Sequence, residues 1–317
     1  MKRDEAEVYV GRCATLAALL EVSAYPKPGN VHRTRDFPNT RYEHFLAGSV
    51  ALNEATRKLT AQGYEAERGS IGWDEIGVGH LALEAVSDSL RWQGGGNVNL
   101  GVILLFAPIA TAAGATLQES PEVEIPVLRE RLKSVINNTT LDDTVNVYEA
   151  IRVSMAPGVL GEAEELDVLD DSTLDRIRDE GLDLQDVFSR CSERDSICSE
   201  WTSDFRITFE TGYPYLKRAL EDYGDVNAAS VDTFLFILSG NPDSLIRRKS
   251  GHDRALEVSD RARLILDEGG SRTSSGARML RELDAELQDA GGVLNPGTTA
   301  DLTAASTFLA LLEGWRP

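Results

Sequence analysis

Gly94-Gly95-Gly96-Asn97-Val98-Asn99-Leu100-Gly101 runs without a charge into the apolar stretch Val102 to Ala107. Three consecutive glycines do not belong in a helix interior, because each costs about 1 kcal/mol relative to alanine there. The apolar stretch beyond them has the composition of a buried helix. The segment therefore reads as an unobstructed loop opening onto a helix N-terminus. Free backbone N–H groups and the positive end of the helix dipole suit an anion, above all phosphate. The plainer reading is a tight turn before a core helix, capped by Asn97 or Asn99. The neighbouring sequence has to decide between them.

On either side the chain is a succession of helical patterns. Residues 4–23 carry Val8, Cys13, Leu16, Leu19 and Leu20 near one face, with acidic residues in the first turn. Residues 41–62, 73–92, 126–137, 141–154, 227–239 and 254–268 read the same way, and Thr298 with Asp301 opens a last apolar helix reaching Leu312. Pro157-Gly158 closes the 141–154 pattern, and His80, inside an apolar pattern, reads as a core histidine. No segment of convincing length alternates at the strand period, no GxGxxG follows a strand, and no Walker A motif occurs. The expectation is an all-α fold: one compact multi-helix domain over residues 1–317, with Gly- and Pro-rich loops at helix ends forming the site.

Those loops carry the chemistry. Tyr25-Pro26-Lys27-Pro28-Gly29-Asn30-Val31-His32-Arg33 is stiffened by two prolines and brings cations into an acidic chain. Gly240-Asn241-Pro242-Asp243-Ser244-Leu245-Ile246-Arg247-Arg248-Lys249-Ser250-Gly251 holds the densest basic cluster: either a polyanion-binding element or a charged helix end complementing the dipole. Leu294 to Leu302 places hydroxyls, N–H groups and Asp301 at another helix N-terminus. Glu210 stands among aromatics in Thr208-Phe209-Glu210-Thr211-Gly212-Tyr213-Pro214, as a cap or a site residue.

A net charge of −20 excludes nucleic acid as a partner, since phosphate backbones require a basic face. Only six of the 32 Lys and Arg are Lys. A large acidic excess with so little lysine points to a high-salt cytoplasm, where screening makes self-repulsion tolerable. Residues 162–200 hold much of that charge and read as a solvated face or a mobile insertion rather than a calcium loop. Cys13, Cys191 and Cys198 form neither a disulfide framework nor a zinc pattern, so the compartment reads as reducing and cytoplasmic. The apolar run Leu100 to Ala115 contains Pro108 and reads as too short to span a membrane.

Taken in order, these pieces resemble the triphosphoribosyl-dephospho-CoA synthase family. Glu21-Val22 with Pro26-Lys27-Pro28-Gly29 is similar to its opening E-V-x-x-x-P-K-P-G, and Gly96 to Gly101 to its G-x-N-T-H-K-G element. Glu210-Thr211-Gly212-Tyr213-Pro214 is similar to E-A-G-Y-P. Asp232-Thr233 through Arg247 to Gly269-Gly270 is similar to its D-T … R-G-G … G-G region, and Asn295 to Leu302 to its closing x-P-G-x-x-A-D-L. Asn99-Leu100 replaces the His-Lys pair, Asn30-Val31-His32 replaces L-V-D, and A-H-x-D-M has no clean counterpart, which suggests an archaeal-type branch.

The resemblance implies a transferase that moves the triphosphoribosyl group of ATP to the 2′-hydroxyl of dephospho-CoA and expels adenine. It implies ATP and dephospho-CoA as substrates, Mg²⁺ on the triphosphate, no membrane partner, and a homodimer as an admissible assembly. Phosphate or nucleotide contacts are expected from Lys27, Gly29, Gly95, Gly96, Asn97, Asn99, Arg247, Lys249 and Thr298. Glu21, Glu210, Asp243 and Asp301 share the roles of base and metal ligand, with Asp243 and Asp301 favoured for the metal and His32 as an acid near the leaving base. A related nucleotide-dependent transferase or hydrolase with another acceptor, and a non-catalytic nucleotide- or carrier-protein-binding protein, stay open.

Overall fold

In the computed structural model the run after the glycines forms helix α4, Leu100–Glu119, the centre of the molecule. The structure describes residues 1–155, 166–168, 170 and 172–317. Ahead of α4 come α1 (Arg3–Ser23), α2 (Tyr42–Glu67) and α3 (Val78–Arg91). After it come α5 (Ile125–Asn137), α6 (Leu141–Ser154), α7 (Ser172–Glu180), α8 (Leu184–Cys191), α9 (Ser196–Thr202), α10 (Tyr213–Tyr223) and α11 (Val226–Gly240). The chain closes with α12 (Ser244–Ser250), α13 (His252–Asp267), α14 (Ser274–Asp289) and α15 (Gly297–Glu313). No strand occurs among the described residues, where the only β-type contacts are two isolated bridges, His32 with Arg35 and Phe37 with Thr40.

α4 is, by length and composition, able to cross a bilayer, contrary to the expectation from its sequence: the helix continues past Ala115 to Glu119. Its most apolar window is 94% buried, however, so the apolarity is spent on protein. α2 crosses it at a distance only small residues permit. A methyl on Gly63 would lie 1.9 Å from the Thr111 carbonyl oxygen, and one on Gly114 would lie 2.0 Å from that of Thr60. α1 and α15 pack on the other sides of α4 and complete the main core. A second apolar cluster joins α11, α13 and α14 through Phe234, Leu238, Val258, Leu280 and Leu283.

The described part of the acidic segment contains three short helices joined by turns. α7, α8 and α9 bury Ile177, Leu184, Phe188 and Trp201, and the Trp201 indole N–H donates to the Leu104 carbonyl at 3.1 Å. Pro157, Gly158, Glu162, Glu164, Glu165 and Asp171 lie outside the described residues. Between α9 and α10, Ile207–Gly212 winds as a π-helix whose first N–H groups, from Ile207 and Thr208, donate to the buried Glu200 carboxylate.

Two expectations are corrected and one helix is added. Cys191 and Cys198 form a disulfide, leaving only the buried Cys13 free, so an odd cysteine count says nothing about the compartment. His80 is exposed, because the first turn of α3 turns it to solvent. α14 adds a helix where the sequence shows no clear start: Ser274-Ser275-Gly276 masks it, yet Leu280, Leu283 and Leu287 bury one face and Thr273 caps it, accepting the Gly276 N–H at 3.0 Å.

Candidate active site

The helix breaks singled out in the sequence meet. The start of α4 (Asn97 to Val102), the start of α15 (Gly297, Thr298, Ala300, Asp301), α12 (Leu245, Arg247, Arg248) and Glu21 near the end of α1 line one cavity of about 590 Å³. α8, the turn after it and α9 close it with Phe188, Arg190, Cys191, Arg194, Asp195, Ile197 and Cys198. Its lining combines apolar side chains (Phe45, Leu104, Tyr148, Ile151, Met155 and Phe188) with arginines and helix N-termini. Arginines and helix N-termini suit an anion, and the apolar side chains suit a base or an alkyl arm.

Of the expected residues, Glu21, Asn97, Asn99, Arg247, Thr298 and Asp301 line this cavity. Asn97 fixes the loop, its Oδ1 accepting the Leu100 N–H at 3.1 Å. The Asn99 amide is tied between the Ser49 N–H and the Val98 carbonyl. Thr298 accepts a hydrogen bond from Ser244 of α12 at 2.9 Å, joining two walls. Arg247 spans the mouth, donating to the Glu193 carbonyl at 2.7 Å.

Lys27 is completely buried behind Glu21, its ammonium spent on the Glu21 carboxylate and on Asn30 Oδ1 at 3.1 Å. Burial pushes the Lys27 pKa down and the Glu21 pKa up, each opposed by the charge of the other. Lys27 thus braces the site from behind, and contact with phosphate is not open to it. Gly29 and His32 are held by α14: the Gly29 N–H donates to Asp284 Oδ1 at 3.0 Å, and His32 Nε2 lies 3.2 Å from Asp284 Oδ2, buried away from the cavity.

Asp243 is a double cap. Its Oδ1 accepts from Leu245 and Ile246, and its Oδ2 from the Thr299 N–H and hydroxyl, both at 2.8 Å. With those directions taken, no lone pair remains for a metal ion or a substrate proton. Glu210 lies exposed on the π-helix, paired with Arg129 at 2.8 Å, and does not line the cavity. Lys249 reaches the Gly292 carbonyl at 3.2 Å instead. The Gly95 and Gly96 N–H groups are spent on the Gln93 side chain and the Asn39 carbonyl, so the glycine loop keeps the exposed turn, and the anion-binding character passes to the α4 start beyond it.

Asp301 is different. Its carboxylate lines the cavity at the first turn of α4 and has no hydrogen bond among the described residues. Burial, followed by the like charges of Glu21, Asp243 and Asp195, raises its pKa well above the usual carboxylate range, and Lys27 only partly offsets this. Sequence reasoning passed over Asn30, Asn295, Arg190, Arg194 and Asp195. Asn30 and Asn295 share a 2.8 Å hydrogen bond at the wall, and the others were hidden in a segment whose acidity reads as solvated surface.

Residues 7–317 match the CitG family, ATP:dephospho-CoA triphosphoribosyl transferase. The chain belongs to this family. A relative from Pseudomonas fluorescens Pf0-1, named a 2-(5″-triphosphoribosyl)-3′-dephosphocoenzyme-A synthase, is 31% identical over 94% of this chain and 89% of its own. The Klebsiella pneumoniae synthase is 23% identical over 93% and 87%. A local match to a relative from P. fluorescens Pf-5 is 36% identical, but spans only 37% of that protein. A crystal structure described as a triphosphoribosyl-dephospho-CoA synthase of Archaeoglobus fulgidus superposes with a TM-score of 0.63 at 28% identity, covering 87% of this chain and all of the other. Family membership thus agrees with the all-helical architecture.

Proposed function

We propose that this protein transfers the triphosphoribosyl group of ATP to the 2′-hydroxyl of dephospho-CoA, releasing adenine. The observation that carries the reading is the convergence of the α4 and α15 starts, Arg247 and Asp301 on one cavity that also has apolar side chains in its lining. In the reaction the acceptor oxygen bonds to the anomeric carbon of the ATP ribose while the bond from that carbon to adenine breaks. The hydroxyl proton leaves and adenine gains one. Charge builds on the ribose, as in glycosyl transfer.

Asp301 is the cavity carboxyl without a hydrogen bond among the described residues, and burial raises its pKa, which suits it to exchange a proton with the hydroxyl or the departing base. The α4 start and Arg247 hold phosphate. The buried Glu21–Lys27 pair keeps the Asp301 surroundings charged and fixed.

The pairing of Asp243 with Asp301 as Mg²⁺ ligands does not fit. Among the described residues no three His, Cys, Asp or Glu side chains come together to hold a metal, and Asp243 is saturated by its caps. A Mg²⁺ ion would then enter as part of the substrate, with the triphosphate.

Incubation with ATP, Mg²⁺ and dephospho-CoA, followed by mass analysis, tests the reading. Adenine and the triphosphoribosylated acceptor are expected in equal amounts. Adenine release with the acceptor unconsumed would show a hydrolase instead. Turnover only with another acceptor would follow from the replacement of the family's His-Lys pair by Asn99-Leu100.

A further inference from the structure

Four arginines line the cavity, and three of them are engaged by protein. Arg190 pairs with Glu180 at 3.6 Å, Arg247 donates to the Glu193 carbonyl, and Arg248 lies 3.6 Å from Asp195. Arg194 stands on the turn between α8 and α9, exposed at the cavity, with no side-chain hydrogen bond or ion pair among the described residues.

The turn beneath it is fastened on every side. The N–H groups of Arg194 and Asp195 both donate to the Cys191 carbonyl at 2.9 Å. The Cys191–Cys198 disulfide closes the turn at its base. Asp195 caps α9, accepting from Ile197 at 2.8 Å, and Arg247 grips Glu193 from across the mouth. Such a pedestal holds one cationic side chain toward the cavity in a chain that otherwise carries net charge −20. A guanidinium left without an anion at the entrance of a cavity is an anchor for one, and its planar fork suits phosphate oxygens.

The geometry points to Arg194 as a substrate-binding residue that grips a polyphosphate in this cavity, on the turn that α12 contacts through Arg247 and Arg248. The inference rests on the reading of this cavity as a nucleotide site. Two polyphosphates enter that reaction, the triphosphate of ATP and the diphosphate of dephospho-CoA, and the chemistry is shared.

The test is titration calorimetry on the full chain with inorganic triphosphate, ATP and dephospho-CoA, comparing wild type with Arg194→Ala, Arg194→Lys and, as a surface control, Arg278→Ala. Arg194→Ala is expected to weaken at least one probe about 10- to 100-fold, the range for one lost charge-assisted hydrogen bond, with an unchanged melting curve. Arg194→Lys restores part of the affinity, and Arg278→Ala changes nothing. Loss confined to triphosphate and ATP places Arg194 on the donor; loss confined to dephospho-CoA places it on the acceptor. Equal binding of all three probes by wild type and Arg194→Ala overturns the inference. Arg194-dependent triphosphate binding without formation of the triphosphoribosylated product would overturn the proposed reaction and leave the Arg194 anchor standing.

Discussion

The Asp301 carboxylate lies against the Cα of Gly101, so that a methyl group there would stand 2.0 Å from Oδ2 and 2.5 Å from Cγ. Two stretches 200 residues apart, the glycine-loop end and the start of α15, are thereby fitted to each other. Gly101→Ala must displace the carboxyl or part the helices. Its expected effect is a fall in kcat of at least about 100-fold, comparable to losing an acid–base group. Asp301→Asn is expected to match that fall while melting no lower than wild type at pH 8, because it removes a like charge from beside Glu21 and Asp243. Steady-state rates and thermal melts check both. A Gly101→Ala protein with wild-type kcat would dissociate Asp301 from the chemistry.

Lys27 separates support from contact. Lys27→Ala strands the buried Glu21 carboxylate, a change that costs about 3–5 kcal/mol. The denaturation midpoint should fall sharply. Replacing both partners, Lys27→Met with Glu21→Gln, should recover much of the loss. Were Lys27 a surface phosphate ligand, the single substitution would leave the midpoint unchanged and weaken ATP binding alone.

The Cys191–Cys198 bond stands under the Arg194 turn. A dithiol reductant should leave the helical content unchanged and weaken triphosphate binding several-fold, with no such effect on Arg194→Ala. Alkylation of the native reduced protein should label the half-buried Cys191 well ahead of Cys13, since burial pushes the Cys13 thiol up to about 11 and only thiolate reacts. Labelling of both at one rate would contradict this burial.

Glu200 makes stability depend on pH. Burial raises its pKa to about 7, against hydrogen bonds from Thr208 and Ile207 that oppose the shift. The folded state therefore binds this proton more tightly than the unfolded one, whose carboxyl titrates near 4.5. The contribution is full below that value, declines above it and is gone once the pH passes about 7, a loss of about 3 kcal/mol. Denaturation midpoints between pH 4.5 and 8 should fall in wild type. In Glu200→Gln, less stable throughout, the fall should be shallower by the Glu200 share, the remainder coming from other carboxyls raised by burial such as Glu21 and Asp301; parallel curves would show that Glu200 contributes none of it.

Local sequence is enough for the helical class and for most helix positions. Val8 to Leu20, Val78 to Leu90 and Thr298 to Leu312 show it: helical period, caps and breakers are each stated within a few residues of where they act. Asn97, Arg247, Thr298 and Asp301 are legible for the same reason, because functional groups at Gly- and Pro-rich helix breaks stand out from their neighbours. What each group faces is not local. Lys27 and Arg247 look alike in sequence, yet one is sealed behind Glu21 and the other spans a cavity mouth. Asp243 and Asp301 are both carboxylates at a helix start, and only the packing of α12 against α15 uses up the first and leaves the second free. The acidic segment could not announce that it folds Arg194 onto the cavity. Net charge sums over a stretch, whereas binding depends on which individual side chains the packed helices place at the cavity.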